Sequence, residues 1–205
     1  LAVTKSPDFP TELPAGEYQM AVFENLFPSL SMDAAEVPAP SLTIPTEPAL
    51  GVCEVVVFSQ DPDTSLGNMS LDEVTLVLEV IADRTKEIGA KPEIKYVLPF
   101  ENRGVEVGVT LHHPHGQIYA YPFVPSLPAR MVENQAAYFA KNGRGLLQDM
   151  LANEEKDSRR MITKSEHSAA FIPICARYPY ETWIMPRRPV RYLYELTPEE
   201  LRDLA

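Results

Sequence analysis

The chain has 205 residues, 45% of them hydrophobic and 23% charged, as expected of a globular protein with a sizeable core. Its 18 basic against 29 acidic residues leave a net charge of −11, which argues against a nucleic-acid partner, because phosphate backbones select basic faces. No apolar run reaches about 18 residues, so no membrane-spanning helix is expected, and two cysteines are too few for a disulfide framework.

Proline is abundant and uneven, and the segments Pro7 to Pro14 and Pro38 to Pro48 read as irregular loops. Between them Tyr18–Phe23 reads as a strand that runs into the turn Glu24–Leu30. Cys53–Phe58 is rich in β-branched residues and predicts a second strand. Ser70-Leu71-Asp72-Glu73 has the form of a capping box. Leu71, Val74, Val77, Leu78 and Ile81 then recur at helical spacing, with a stop expected near Gly89.

Ile94–Phe100 predicts a strand, Val105 to Leu111 a short apolar segment and Gln117–Phe123 a further strand. Helices are expected over Leu127 to Ala140 and about Arg144 to Arg159. Strands are expected at Ala169 to Cys175 and Thr182 to Met185. Thr197 should cap a last helix, with Pro198 at its first position. Cys53 and Cys175 both lie in apolar, strand-like surroundings and are expected to be buried free thiols. Leu1–Pro7 lacks a signal peptide's basic and apolar regions, and together with the thiols this leads to an expectation of the cytoplasm.

A faint repeat links two stretches. Strand Cys53–Phe58, a loop, Ser70-Leu71-Asp72-Glu73 and a helix make one copy. Strand Thr182–Met185, a loop with Arg187 and Arg188, Thr197-Pro198-Glu199-Glu200 and a helix make the start of another. The expected architecture is α+β, mainly antiparallel sheet with helices on one face. Arg187, Arg188 and Arg191 form the one basic patch, read either as a solvated loop or as a phosphate or subunit contact.

Three of the four histidines, His112, His113 and His115, fall within four positions. In an extended segment His113 and His115 would share a face, with Pro114 turned away. Gly116 would let a bulky anion approach the backbone, and Gln117 offers a neutral amide donor. A neutral imidazole is a good nucleophile near neutral pH, and its bond to phosphorus is labile enough to be passed on. The attacking nitrogen must be unprotonated, a state fixed if the other ring nitrogen donates to a backbone carbonyl. Gln117 and nearby amides could then stabilise charge on phosphoryl oxygens. From the residues alone three roles stay open for the pair: nucleophile, zinc ligand and structural histidine. No Gly-x-Ser-x-Gly elbow, phosphate-binding loop or dinucleotide fingerprint occurs.

The run Phe100-Glu101-Asn102-Arg103-Gly104 and Gly108-Val109-Thr110-Leu111-His112-His113-Pro114-His115-Gly116-Gln117-Ile118-Tyr119 resembles the galactose-1-phosphate uridylyltransferase family of the histidine-triad superfamily. Phe23–Leu30, Val57-Phe58-Ser59 and Tyr180–Pro186 agree with it in order and spacing. The resemblance implies a histidine-triad-like antiparallel sheet with flanking helices: a first repeat at 1–160 and the start of a second at 161–205, in a chain incomplete at both ends. It implies transfer of UMP between UDP-glucose and galactose 1-phosphate through a uridylyl group on His115.

By position it implies catalytic roles for His115 and Gln117, and substrate contacts from Asn25, Asn102, Thr110, Gly116 and Gln117. Phe23 and Phe27 are read either as walls of a base pocket or as core. It also implies a homodimer and no organic cofactor. Some members bind structural zinc through an N-terminal cysteine pair, a loop histidine and the first histidine of His-Pro-His. Here Pro62 stands at the loop position and the cysteine pair is absent, so the zinc expectation rests on His113. Leu26 stands where some members have an acidic uridine contact. Two rivals follow: an ADP-sugar phosphorylase or adenylyltransferase on the same scaffold, and a non-catalytic nucleotide-sugar-binding protein.

Overall fold

In a computed structural model, residues 17–37, 45–107 and 113–205 are described. The chain divides into two compact units, residues 1–73 with 87–123, and residues 74–86 with 124–205.

The first unit is built on a four-stranded antiparallel sheet of order β1-β2-β4-β3. Its strands are β1 (Ala21–Glu24), β2 (Val52–Val57), β3 (Tyr96–Phe100) and β4 (His115–Tyr121). All four lie within or beside the stretches predicted from β-branched and aromatic content. Pro99 is tolerated because β3 is an edge strand. Along β4 exposure alternates strictly: Gly116, Ile118 and Ala120 are buried, and His115, Gln117, Tyr119 and Tyr121 are half-buried. Directly paired residues share a face, so Phe23, Val55, Gln117 and Phe100 form one row across the four strands. Ala21, Val57 and His115 form the next.

Helix α1 (Leu71–Gly89) starts and stops where its signals lie. The Ser70 amide donates to Glu73 Oε2 at 2.7 Å and the Glu73 amide to Ser70 Oγ at 3.3 Å. Val77, Ala82 and Ile88 are buried, whereas Leu71, at the predicted edge of the stripe, is exposed.

The second unit carries a three-stranded antiparallel sheet, β5 (Met161–Lys164), β6 (Ser168–Phe171) and β7 (Trp183–Pro186), with β6 central. Strand β5 escapes sequence reading because Met161-Ile162-Thr163-Lys164 is short and largely exposed. The core is Leu151, Ala169 and Phe171, with Met161, Trp183 and Met185 against it. Strand β6 ends at Phe171, before Pro173, so Cys175 falls in the following turn and is exposed. This corrects the expectation of two buried thiols; only Cys53 is buried.

Helix α2 (Ser126–Asn142) ends on Gly143, whose φ of 65° suits glycine. Helix α3 (Leu146–Asp157) contributes Tyr138–Asp149 contact to α2 at 2.9 Å, and its buried Glu154 receives a two-pronged bond from Arg160 at 2.9 and 3.0 Å. Helix α4 (Pro198–Leu204) opens with a capping box formed by Thr197 and Glu200. Thus both capped helices of the predicted repeat are present, each following a strand.

Two of the three arginines of the basic patch, Arg187 and Arg188, are engaged within the second unit. Arg187 donates to the carbonyls of Ser165 and Glu166 and pairs with Glu155 at 3.1 Å. Arg188 forks onto both oxygens of Glu200 at 2.7 Å and also reaches Glu195 O. The Arg188 bonds, then the Thr197 amide, hold the Glu200 carboxyl at about 2, below its ordinary 4.5. A depressed carboxylate stabilises the fold above its unfolded value and loses that contribution as pH falls through its folded value. Glu200→Gln should therefore destabilise the protein at neutral pH, and the difference from wild type should shrink between pH 4.5 and about 2. Urea unfolding of both proteins across that range measures it.

Candidate active site

The cross-strand ladder between β2 and β4 stops at Val57–His115. One further backbone bond forms, from the Phe58 amide to Pro114 O at 3.0 Å. Pro114 has no N–H to return, so the ladder cannot continue. His113 therefore lies in a bend ahead of the strand instead of alternating with His115 along it, as the extended-segment reading had it. Its ring turns to the segment that follows β2, and Nε2 donates to Ser59 O at 2.5 Å.

His115 is the first residue of β4, and its Nδ1 lies 2.7 Å from His113 O. A carbonyl oxygen can only accept, so Nδ1 carries the proton. In the neutral ring Nε2 then holds a free lone pair. This is the tautomer required of a nitrogen that attacks phosphorus, and the local His-Pro-His sequence creates it. Gln117 follows two residues along β4, on the same face, opposite Phe100 and Val55. Aromatic rings continue that face: Phe100 meets Tyr119 edge-on at 5.1 Å, and Tyr121 and Phe123 follow.

Gly116 points the other way. A Cβ there would lie 2.8 Å from Phe58 Cζ and 3.0 Å from Phe100 O. Core clearance behind the sheet thus requires a glycine here. Asn25 follows β1, where its amide donates to Cys53 O at 2.9 Å. Its Oδ1 accepts from the Phe27 amide at 3.1 Å, an Asx turn that fixes the side chain. Phe23 shares a row with Gln117, whereas Phe27 is 84% exposed and is not core. Asn102 is exposed in the loop two residues after Phe100. Thr110 and His112 lie outside the described residues.

Among the described residues no three His, Cys, Asp or Glu side chains converge on a point that could hold a metal ion. His113 Nε2 is engaged by Ser59 O, so only Nδ1 could ligate. Ser59 escaped sequence reasoning as a site residue, because the contribution comes from its carbonyl and not from its side chain.

Residues 11–125 match the family model described as galactose-1-phosphate uridyl transferase, N-terminal domain, and residues 131–205 match that of the C-terminal domain. The chain belongs to the galactose-1-phosphate uridylyltransferase family. The Streptomyces lividans galactose-1-phosphate uridylyltransferase is 42% identical over 173 residues, 84% of this chain and 44% of that protein. The Thermotoga maritima galactose-1-phosphate uridylyltransferase is 37% identical over 195 residues, 95% of this chain and 60% of that protein. A solved structure of a uridylyltransferase mutant superposes with a TM-score of 0.88 at 29% identity, covering 99% of this chain and 64% of that one. The chain spans about half the length of the curated relatives it matches. The α+β fold of antiparallel sheets and helices is that of uridylyltransferases.

Within this family member, Gly116→Ala should cost about 1–3 kcal/mol through overpacking against Phe58. The check is a lower urea midpoint with an unchanged slope.

Proposed function

We propose that the full-length protein moves UMP between UDP-glucose and galactose 1-phosphate, in galactose metabolism, through a covalent adduct on His115. The single observation that supports this reading is the 2.7 Å bond from His115 Nδ1 to His113 O, which leaves Nε2 as the nucleophile. In the first half-reaction Nε2 forms a bond to the α-phosphorus of UDP-glucose, and the bond from that phosphorus to the bridging oxygen breaks. Glucose 1-phosphate leaves. In the second, a phosphate oxygen of galactose 1-phosphate attacks the same phosphorus, the N–P bond breaks and UDP-galactose leaves.

Attack by Nε2 puts positive charge on the imidazole, so the Nδ1–H bond to the carbonyl strengthens as the reaction proceeds. Gln117 is assigned the phosphoryl oxygens, being a neutral donor on the same face. Asn25, Asn102, Thr110 and Gly116 are assigned substrate contacts by family position, with Gly116 acting through its backbone.

A homodimer is the proposed assembly. Exposed Leu127, Val132 and Phe139 on α2, a helix with no buried residue, supply apolar surface that such a contact would need. No helix of the described residues is long and apolar enough to cross a membrane. The cytoplasm is the proposed setting, which suits the two free thiols.

UDP-glucose labelled at the α-phosphorus should leave label on the full-length protein, and His115→Ala should leave none. Gln117→Met should slow transfer about 100- to 1,000-fold. Label absent from wild type, label equal in His115→Ala, or faster labelling from ADP-glucose would each reject the proposal.

A further inference from the structure

Two hydrogen bonds stand in series at the mouth of the β2–β4 ladder. His113 Nε2 donates to Ser59 O at 2.5 Å, and His115 Nδ1 donates to His113 O at 2.7 Å. The first joins residues 54 positions apart, and the second joins neighbours in the site. The second falls at the short end for hydrogen bonds of this kind.

The acceptor of the first bond is itself held. Ser59 Oγ accepts from the Asp61 amide at 3.1 Å, and Asp61 Oδ1 accepts from the Asp63 amide at 3.0 Å. Two side-chain turns in succession stiffen the loop just where β2 ends. On the β4 side, Pro114 has removed the donor that would have carried the ladder one step further. The ring of His113 supplies a donor in its stead, aimed at the next carbonyl of the β2 chain.

We propose that His113 is a positioning residue that works without metal: its imidazole, bonded to Ser59 O, fixes the backbone carbonyl that holds His115 in the Nδ1–H tautomer. In relatives with a zinc ligand at this position, a metal would crosslink the same two chain segments. Here Pro62 occupies the position of the loop histidine, and no cluster of three ligands exists among the described residues. The hydrogen bond does the crosslinking. Without it, the His113 peptide could rotate, and the His115 ring would divide between two tautomers, only one of which can attack from Nε2. The inference rests on the reading of His115 as nucleophile for its effect on rate, and on geometry alone for its effect on tautomer.

Full-length protein labelled with nitrogen-15 in histidine tests it by long-range nitrogen–proton NMR. Wild type should show His115 with a protonated Nδ1 and a bare Nε2, before and after chelator treatment that leaves it zinc-free by elemental analysis. His113→Ala should mix the tautomers and lower kcat for transfer about 10- to 100-fold, with KM little changed. His113→Gln keeps an N–H at the Nε2 position, so it should recover the Nδ1–H signature and part of the lost rate, which a zinc ligand could not do.

The proposal is overturned if His113→Ala keeps the wild-type tautomer, if chelation erases it, or if the glutamine variant is no better than alanine. Wild type with the expected signature but no UMP transfer would support the clamp and overturn the functional reading alone.

Discussion

The site depends on one hydrogen bond, from His115 Nδ1 to the backbone carbonyl of His113. Imidazole has two nearly equivalent nitrogens, and in water the proton exchanges between them. A nucleophile cannot tolerate that freedom, because only the nitrogen without a proton can attack. A carbonyl placed against Nδ1 removes the choice: it accepts a proton and cannot give one. The result needs no neighbouring charge and no metal, only a backbone oxygen held at the right place.

The architecture supplies that oxygen. Antiparallel pairing of β2 with β4 brings His115 opposite Val57 and ends there, because proline follows the pattern one step out. Where the ladder ends, the chain before β4 is free to turn, and it turns so that the His113 ring reaches the β2 side. Gly116 lets Phe58 lie close behind the sheet. Strand alternation then sends Gln117 to the same face as His115 without any special device. In the second unit Arg188 and Glu200 join a loop to the capped end of α4.

How far the sequence could be read follows from the range of each interaction. The capping boxes at Ser70 and Thr197 are local, four-residue patterns, and both helices begin where those patterns lie. The strands β1 to β4 are marked by β-branched and aromatic runs, so their existence was legible though their ends were not. Strand β5 was not, because only pairing with β6 makes a strand of four largely exposed residues. Cys175 was misread because an apolar neighbourhood in sequence is not a buried one when Pro173 ends the strand. The His-Pro-His residues alone left nucleophile, zinc ligand and structural histidine open, but the requirement that a nucleophilic ring have a carbonyl at its other nitrogen could be reasoned in advance. That this carbonyl would be His113's own, steadied by Ser59, could not: the bond to Ser59 spans 54 residues and involves a main-chain atom that any residue type supplies.

With Nδ1 of His115 occupied, phosphorus should bond to Nε2. Phosphorus-31 NMR of the uridylylated full-length protein, made with nitrogen-15 histidine, tests this directly. A single phosphoramidate resonance coupled to Nε2 of His115 is expected. Coupling to Nδ1, or an adduct on any other residue, would contradict it.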